Sequence, residues 1–152
     1  MHKTIISDTS CFIVLTSINE LELLQKVYGE ITTTIEVAVE FGELLPDWVI
    51  VEKVTDSYNL QLLEMQVDKG EASALALALE TPNSTIILDD YKARKVAEKL
   101  NLHYTGTIGV IIKAKLKGII PSIKPFLDKI KQTDFRLSDE IEKQALIEAS
   151  EQ

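Results

Sequence analysis

Hydrophobic positions along the chain recur with two periods. Residues 3–7 (Lys-Thr-Ile-Ile-Ser) are short, β-branched and bounded by a polar cluster, which predicts a strand. Residues 20–28 place Leu21, Leu24, Val27 and Tyr28 at helical spacing, with Gly29 as the helix stop. Residues 31–33 predict a short second strand. Thr34 then reads as the N-cap of a helix running to about Phe41 and halted by Gly42. Pro46 precedes another strand over 48–51, and residues 57–67 predict a helix. The stretch 72–79 is almost wholly Ala and Leu, which predicts a helix buried on all sides. After a turn at 82–84, residues 85–88 predict a central buried strand. A helix over 91–100, a strand over 103–105 and a helix from Gly106 to Lys117 follow, then two helices near 122–132 and 138–150. Strands alternating with helices imply a parallel sheet covered on both faces: an α/β protein, a three-layer α/β/α sandwich. No repeat, low-complexity segment or linker interrupts residues 1–152, so a single domain is expected.

Composition narrows the class. The chain is 45% apolar and 26% charged, as expected for a soluble globule. The longest apolar run, residues 74–79, is far below the roughly 20 residues that span a bilayer, so no membrane association is expected. The single Cys11 forms no internal disulfide, and the start Met-His-Lys does not read as a secretory signal; a cytoplasmic protein is the expectation. Net charge is −8, which taken globally argues against nucleic-acid binding. The charge is uneven, however. Residues 85–131 hold 10 basic and 4 acidic residues, a basic block inside an acidic chain.

The candidate chemistry is carboxylate. Asp8 directly follows the first strand and Asp89-Asp90 directly follow the buried strand at 85–88. In open parallel sheets ligands bind beyond the carboxyl ends of the strands, so both groups converge on one edge. Glu40 lies on the helix after the second strand, with Glu36 one turn earlier, and Glu71 opens the buried helix. Each acid also has an ordinary structural role open to it. Asp68 and Glu71 fit a capping box, Asp8 and Asp89-Asp90 fit N-caps, and Glu36 and Glu40 fit a solvated face. Crowded carboxylates repel unless a cation neutralises them, and a hard divalent ion, Mg²⁺ or Mn²⁺, is the natural partner. Such a site can deprotonate water and steady the leaving oxygen of a phosphodiester.

Other chemistries lack their residues. There is no phosphate loop and no Gly-x-Ser-x-Gly elbow. Cys11 has no evident His partner, and the two histidines, His2 and His103, make a zinc site an unsuitable reading.

Five segments resemble a PIN domain. They are the opening strand with Asp8-Thr9-Ser10, the helix 34–40 ending in Glu40, Gly70-Glu71-Ala72 on its Ala/Leu helix, Leu88-Asp89-Asp90, and Thr105-Gly106-Thr107-Ile108-Gly109. The later four are similar to a compact prokaryotic subfamily related to VapC-type toxins. The resemblance implies a metal-dependent ribonuclease acting on RNA. By matching, Asp8, Glu71 and Asp90 are its metal ligands, and Asp89, where many relatives are not acidic, is a fourth candidate. Glu40 matches the family's second acid; Thr33-Thr34 replaces the usual Pro before its helix, which keeps Glu36 as a rival. Thr107 falls near the metal, and Thr9 and Ser10 orient Asp8 or substrate. Lys92 and Lys95 beside Asp90, and the pair Lys113 and Lys117 on the helix after Thr107, are expected to hold flanking phosphates. The resemblance further implies a small antitoxin partner and a homodimer. A PIN-fold module that binds RNA or protein without turnover is the alternative.

Overall fold

Side chains alternate across a strand, and β1 (Thr4–Ser7) uses both faces. The structure, a computed structural model, describes residues 3–151; His2 lies outside the described residues. Ile5 enters one buried cluster and Ile6 another, and Ile87 and Ile86 divide in the same way. The other strands are β2 (Ile31–Thr34), β3 (Val49–Glu52), β4 (Ser84–Ile87) and β5 (His103–Thr105). They form one five-stranded parallel sheet in the order β3-β2-β1-β4-β5.

Nine helices complete the described residues: α1 (Thr9–Ser17), α2 (Leu23–Tyr28), α3 (Ile35–Phe41), α4 (Ser57–Glu64), α5 (Lys69–Glu80), α6 (Tyr91–Lys99), α7 (Thr107–Leu116), α8 (Lys124–Ile130) and α9 (Asp139–Glu148). One face of the sheet carries Leu63 of α4, Leu75 of α5 and Val96 of α6. The other carries Phe12, Leu24, Val37, Ile111, Leu127 and Ala145 from α1, α2, α3, α7, α8 and α9. The result is the three-layer α/β/α sandwich that the alternation of elements predicts. Helix α5 is buried from Ala72 through Ala78, as its composition requires. No described helix is long and apolar enough to cross a membrane.

Two of the differences from the predicted elements have clear local reasons, while the helix predicted over 57–67 simply ends early, at Glu64. The hydrophobic pattern assigns residues 9–17 no bounds, because Cys11-Phe12-Ile13-Val14-Leu15 is an unbroken apolar run without helical periodicity. The Asp8 side chain starts a helix there by accepting from the Cys11 amide at 3.0 Å. Helix α2 begins three residues later than the predicted 20–28, because the Glu20 amide closes back onto the Leu15 carbonyl at 2.8 Å and keeps that segment in a turn.

Candidate active site

Pairing of β1 with β4 aligns Ser7 with Ile87 and so sets the two strand ends side by side. Asp8 follows one and Asp89 the other. The Asp8 amide donates to the Ile87 carbonyl at 3.0 Å. In return the Asp89 amide donates to Asp8 Oδ2 at 3.1 Å. Asp8 is only 2% exposed, and its second oxygen caps α1. Burial, then the Asp89 carboxylate, and more weakly Glu71, push its carboxyl well above the usual range.

Asp89 is held by hydroxyls and an amide from two neighbouring helices. Ser10 Oγ donates to its Oδ2 at 2.7 Å. The Thr107 amide donates to Oδ1 at 2.8 Å and the Thr107 hydroxyl to Oδ2 at 2.6 Å. Thr107 itself is fully buried at the start of α7. Asp90 turns the other way and caps α6, its Oδ2 accepting from the Ala93 amide at 2.9 Å. The pair therefore splits: Asp89 faces Asp8, while Asp90 shares a shallow groove with Glu71 and Lys92.

Glu71 and Glu40 arrive on helices α5 and α3. Asp68 caps α5 by accepting from the Glu71 amide at 2.9 Å. Among the described residues the Glu71 carboxylate makes no reciprocal bond to the Asp68 amide, so the capping box is only half formed. The free carboxylate lines a cavity of about 580 Å³ with Asp8 and Glu40. Burial first, then Asp68, Asp90 and Glu40, push it up to about 7. Thr9 donates through Oγ1 to Glu40 Oε1 and so draws Glu40, not Glu36, to the site. Thr34 starts α3 through its hydroxyl. It caps α3 by accepting from the Val37 amide at 3.0 Å. Ser73 gives its single proton to the Gly70 carbonyl at 2.8 Å, so Thr34 must donate to Ser73 across 2.6 Å. This chain ties the start of α3 to the start of α5, and hence Glu40 to Glu71.

A family model described as a PIN domain matches residues 4–151. The chain belongs to the PIN-domain family. No curated protein and no solved structure matches it. PIN domains are nucleases as a class and generally use divalent metals.

The acids of this PIN domain fit such an ion in chemistry and charge. They are oxygen donors, and burial first, then neighbouring carboxylates, push the carboxyls of Asp8 and Glu71 up. No three His, Cys, Asp or Glu among the described residues converge tightly enough to hold a metal between them. Mg²⁺ does not require it, since that ion keeps several waters and binds through one or two carboxylates. Asp8 and Asp89 are the two that meet. Cys11 is no nucleophile here: burial, then Asp89 and Asp8, push its thiol well up.

The basic residues divide. Lys92 borders the Glu71–Asp90 groove. Lys95 lies over the Tyr91 ring, 5.2 Å from its centroid, and pairs with Glu98 at 3.6 Å. Lys113 and Lys117 do share a helix face, but that face meets α2. Lys113 Nζ sits 5.0 Å from the Tyr28 ring centroid and Lys117 Nζ donates to the Val27 carbonyl at 3.1 Å. Helix α7 starts at the acidic edge and runs away from it, so its last turn cannot flank the acids; the expected groove opposite Lys92 and Lys95 is not formed by this pair. Two residues that sequence reasoning passed over, Phe135 and Arg136, do border the cluster. Their only signal was an aromatic beside an arginine between two predicted helices.

Gly70 makes room for the Thr9–Glu40 bond. A Cβ there would meet Glu40 Oε1 and stand 3.1 Å from Thr9 Oγ1. Gly70→Ala is expected to displace Glu40 while holding or raising stability, because Ala favours a helix over Gly by about 0.8–1 kcal/mol. Thermal unfolding with a cleavage assay separates the two effects. Loss of activity at unchanged Tm assigns Glu40 a part in the site, and full activity removes it.

The raised carboxyls also predict how metal-free stability depends on pH. Between the ordinary Glu value of 4.5 and about 7, the unfolded chain has lost the Glu71 proton and the native state still binds it. Stability therefore falls as pH rises through that window, and Asp8 acts in the same direction. Denaturant midpoints in EDTA are expected to be lower at about pH 8 than at about pH 5, and added Mn²⁺ should recover the loss. Equal midpoints in EDTA would remove the carboxylate crowding.

Proposed function

We propose that this PIN domain is a divalent-cation-dependent endoribonuclease that hydrolyses RNA phosphodiester bonds, using Mg²⁺ or Mn²⁺. The observation that carries the reading is the Asp8–Asp89 pair, two carboxylates set against each other at adjacent strand ends. Asp8 and Asp89 would hold the ion, with Glu71 and Asp90 reaching it directly or through water. When bound, the ion supplies a Lewis acid that lowers the pKa of water and steadies developing charge on phosphate oxygens. Ser10 and Thr107 fix both Asp89 oxygens, so the carboxylate needs no reorientation. Thr9 and Glu40 support the far wall. The proposal extends to a toxin-like role with a small antitoxin partner and a homodimer, for which the resemblance to VapC-type toxins is the support, and to a cytoplasmic setting, for which the lone Cys11 and the composition are the support.

Purified protein incubated with total cellular RNA and Mn²⁺ is expected to generate discrete new 5′ ends that EDTA suppresses. An unchanged end map would overturn the reading. The absence of three converging ligands among the described residues favours the second reading, a binding module without turnover. Calorimetric titration with Mn²⁺ discriminates: a module without a site gives no heat of binding.

A further inference from the structure

We propose that the loop between α8 and α9 is a substrate clamp in which Arg136 grips a backbone phosphate of single-stranded RNA over the Asp8–Asp89 pair, with Phe135 as a stacking face for a base. The inference rests on the endoribonuclease reading above. Two cavities flank the acids. One, of about 580 Å³, holds Asp8 and Glu71; the other, of about 440 Å³, holds Asp89 and Arg94. Among the described residues only Phe135 and Arg136 line both. The loop thus forms the ridge between the cavities, at the boundary where Asp8 and Asp89 meet.

The ridge is fixed and its cation is free. Thr133 Oγ1 donates to the Ile130 carbonyl at 2.6 Å and accepts from the Phe135 amide at 3.2 Å. Phe135 packs partly against the core. Arg136 is exposed, and among the described residues it has no ion pair or hydrogen bond. A guanidinium left unpaired beside a carboxylate cluster keeps its planar donor fork for a phosphate. In the second cavity Arg94 is pinned, its Nε donating to the Leu88 carbonyl at 2.6 Å and its guanidinium lying 5.2 Å from the Tyr104 ring centroid. It lines the same cavity as Arg136, a second cation available to the RNA backbone. Two chambers divided by a ridge suit bases that are splayed apart and stacked on aromatic side chains, which only a single strand offers.

The test measures binding in EDTA, where nothing is cleaved, with a dye-labelled single-stranded RNA oligonucleotide and its duplex, followed by cleavage kinetics in Mn²⁺. Wild type is expected to bind the single strand more tightly than the duplex. Arg136→Gln should weaken single-strand binding and lower the salt slope by about 0.7, the value of one phosphate contact. It should raise KM at unchanged kcat and leave Tm unchanged. Arg136→Lys should recover the slope but only part of the affinity. Phe135→Leu, which keeps apolar packing, should weaken binding without altering the slope. Wild-type affinity and slope in Arg136→Gln, equal binding of duplex and single strand, or no RNA binding at all would each overturn the clamp. Binding that responds to Arg136→Gln in a protein that never cleaves would support the clamp and reject the endoribonuclease reading.

Discussion

Asp8→Asn is expected to abolish metal-dependent cleavage and, without metal, to leave the protein at least as stable as wild type. The two outcomes have one cause. Asp8 is buried beside Asp89, and its charge is disfavoured by burial and by that neighbour. A divalent ion is what makes the charge useful. Replacing the carboxylate by an amide keeps one oxygen that can still accept from the Cys11 amide, so α1 retains its cap; the bond from the Asp89 amide to the second oxygen is given up, and relief of the buried charge offsets it. The loss of activity should be no smaller than the roughly 10–100-fold that removing an outer-shell partner of a metal site costs. Steady-state cleavage with Mn²⁺ and urea unfolding in EDTA read the two quantities. Cleavage at the wild-type rate would show that the site lies elsewhere. A large loss of apo stability would show that Asp8 is chiefly a cap.

Glu71→Gln separates a ligand from a capping partner. Gln serves at the third helical position as well as Glu does, and Asp68 caps α5 through the Glu71 amide, which the substitution leaves in place. A structural role therefore predicts almost no loss of activity and a stability change under about 1 kcal/mol. A role in holding a cation predicts loss of cleavage and weaker Mn²⁺ binding by calorimetry, with little change in apo Tm. The half-formed box favours the second outcome, since the carboxylate makes no bond within its own turn and instead borders the cavity with Asp8. The carboxyl near 7 gives a further signature: the metal-free pH dependence of stability should shrink in the variant. Full activity in Glu71→Gln would return Glu71 to the helix terminus.

Much of this arrangement is legible in the chain because it is local. Helix starts announce themselves three residues apart, as in Asp8 with Cys11, Thr34 with Val37, Asp68 with Glu71 and Asp90 with Ala93. The strand–helix alternation then dictates a parallel sheet, and a parallel sheet sends every strand end to one edge. That is why Asp8 and Asp89-Asp90 read as converging from their positions alone, whereas Glu40 and Glu71 join them in the sequence only through the resemblance. The resemblance to PIN domains rests on those same segments, and the family match over residues 4–151 agrees with it.

Sequence alone does not choose between neighbours, because the choice is made by contacts distant along the chain. Asp89 rather than Asp90 turns to Asp8 because its amide bonds the Asp8 carboxylate, 81 residues away in sequence. Glu40 rather than Glu36 joins the site because Thr9 reaches across from α1. Spacing shows that Lys113 and Lys117 share a face, but only packing shows that this face meets α2 and not the acids. Phe135 and Arg136 follow the last strand by thirty residues and belong to no strand end. Their place beside the cluster comes from how α8 and α9 fold back over α7 and the core, which no local period encodes.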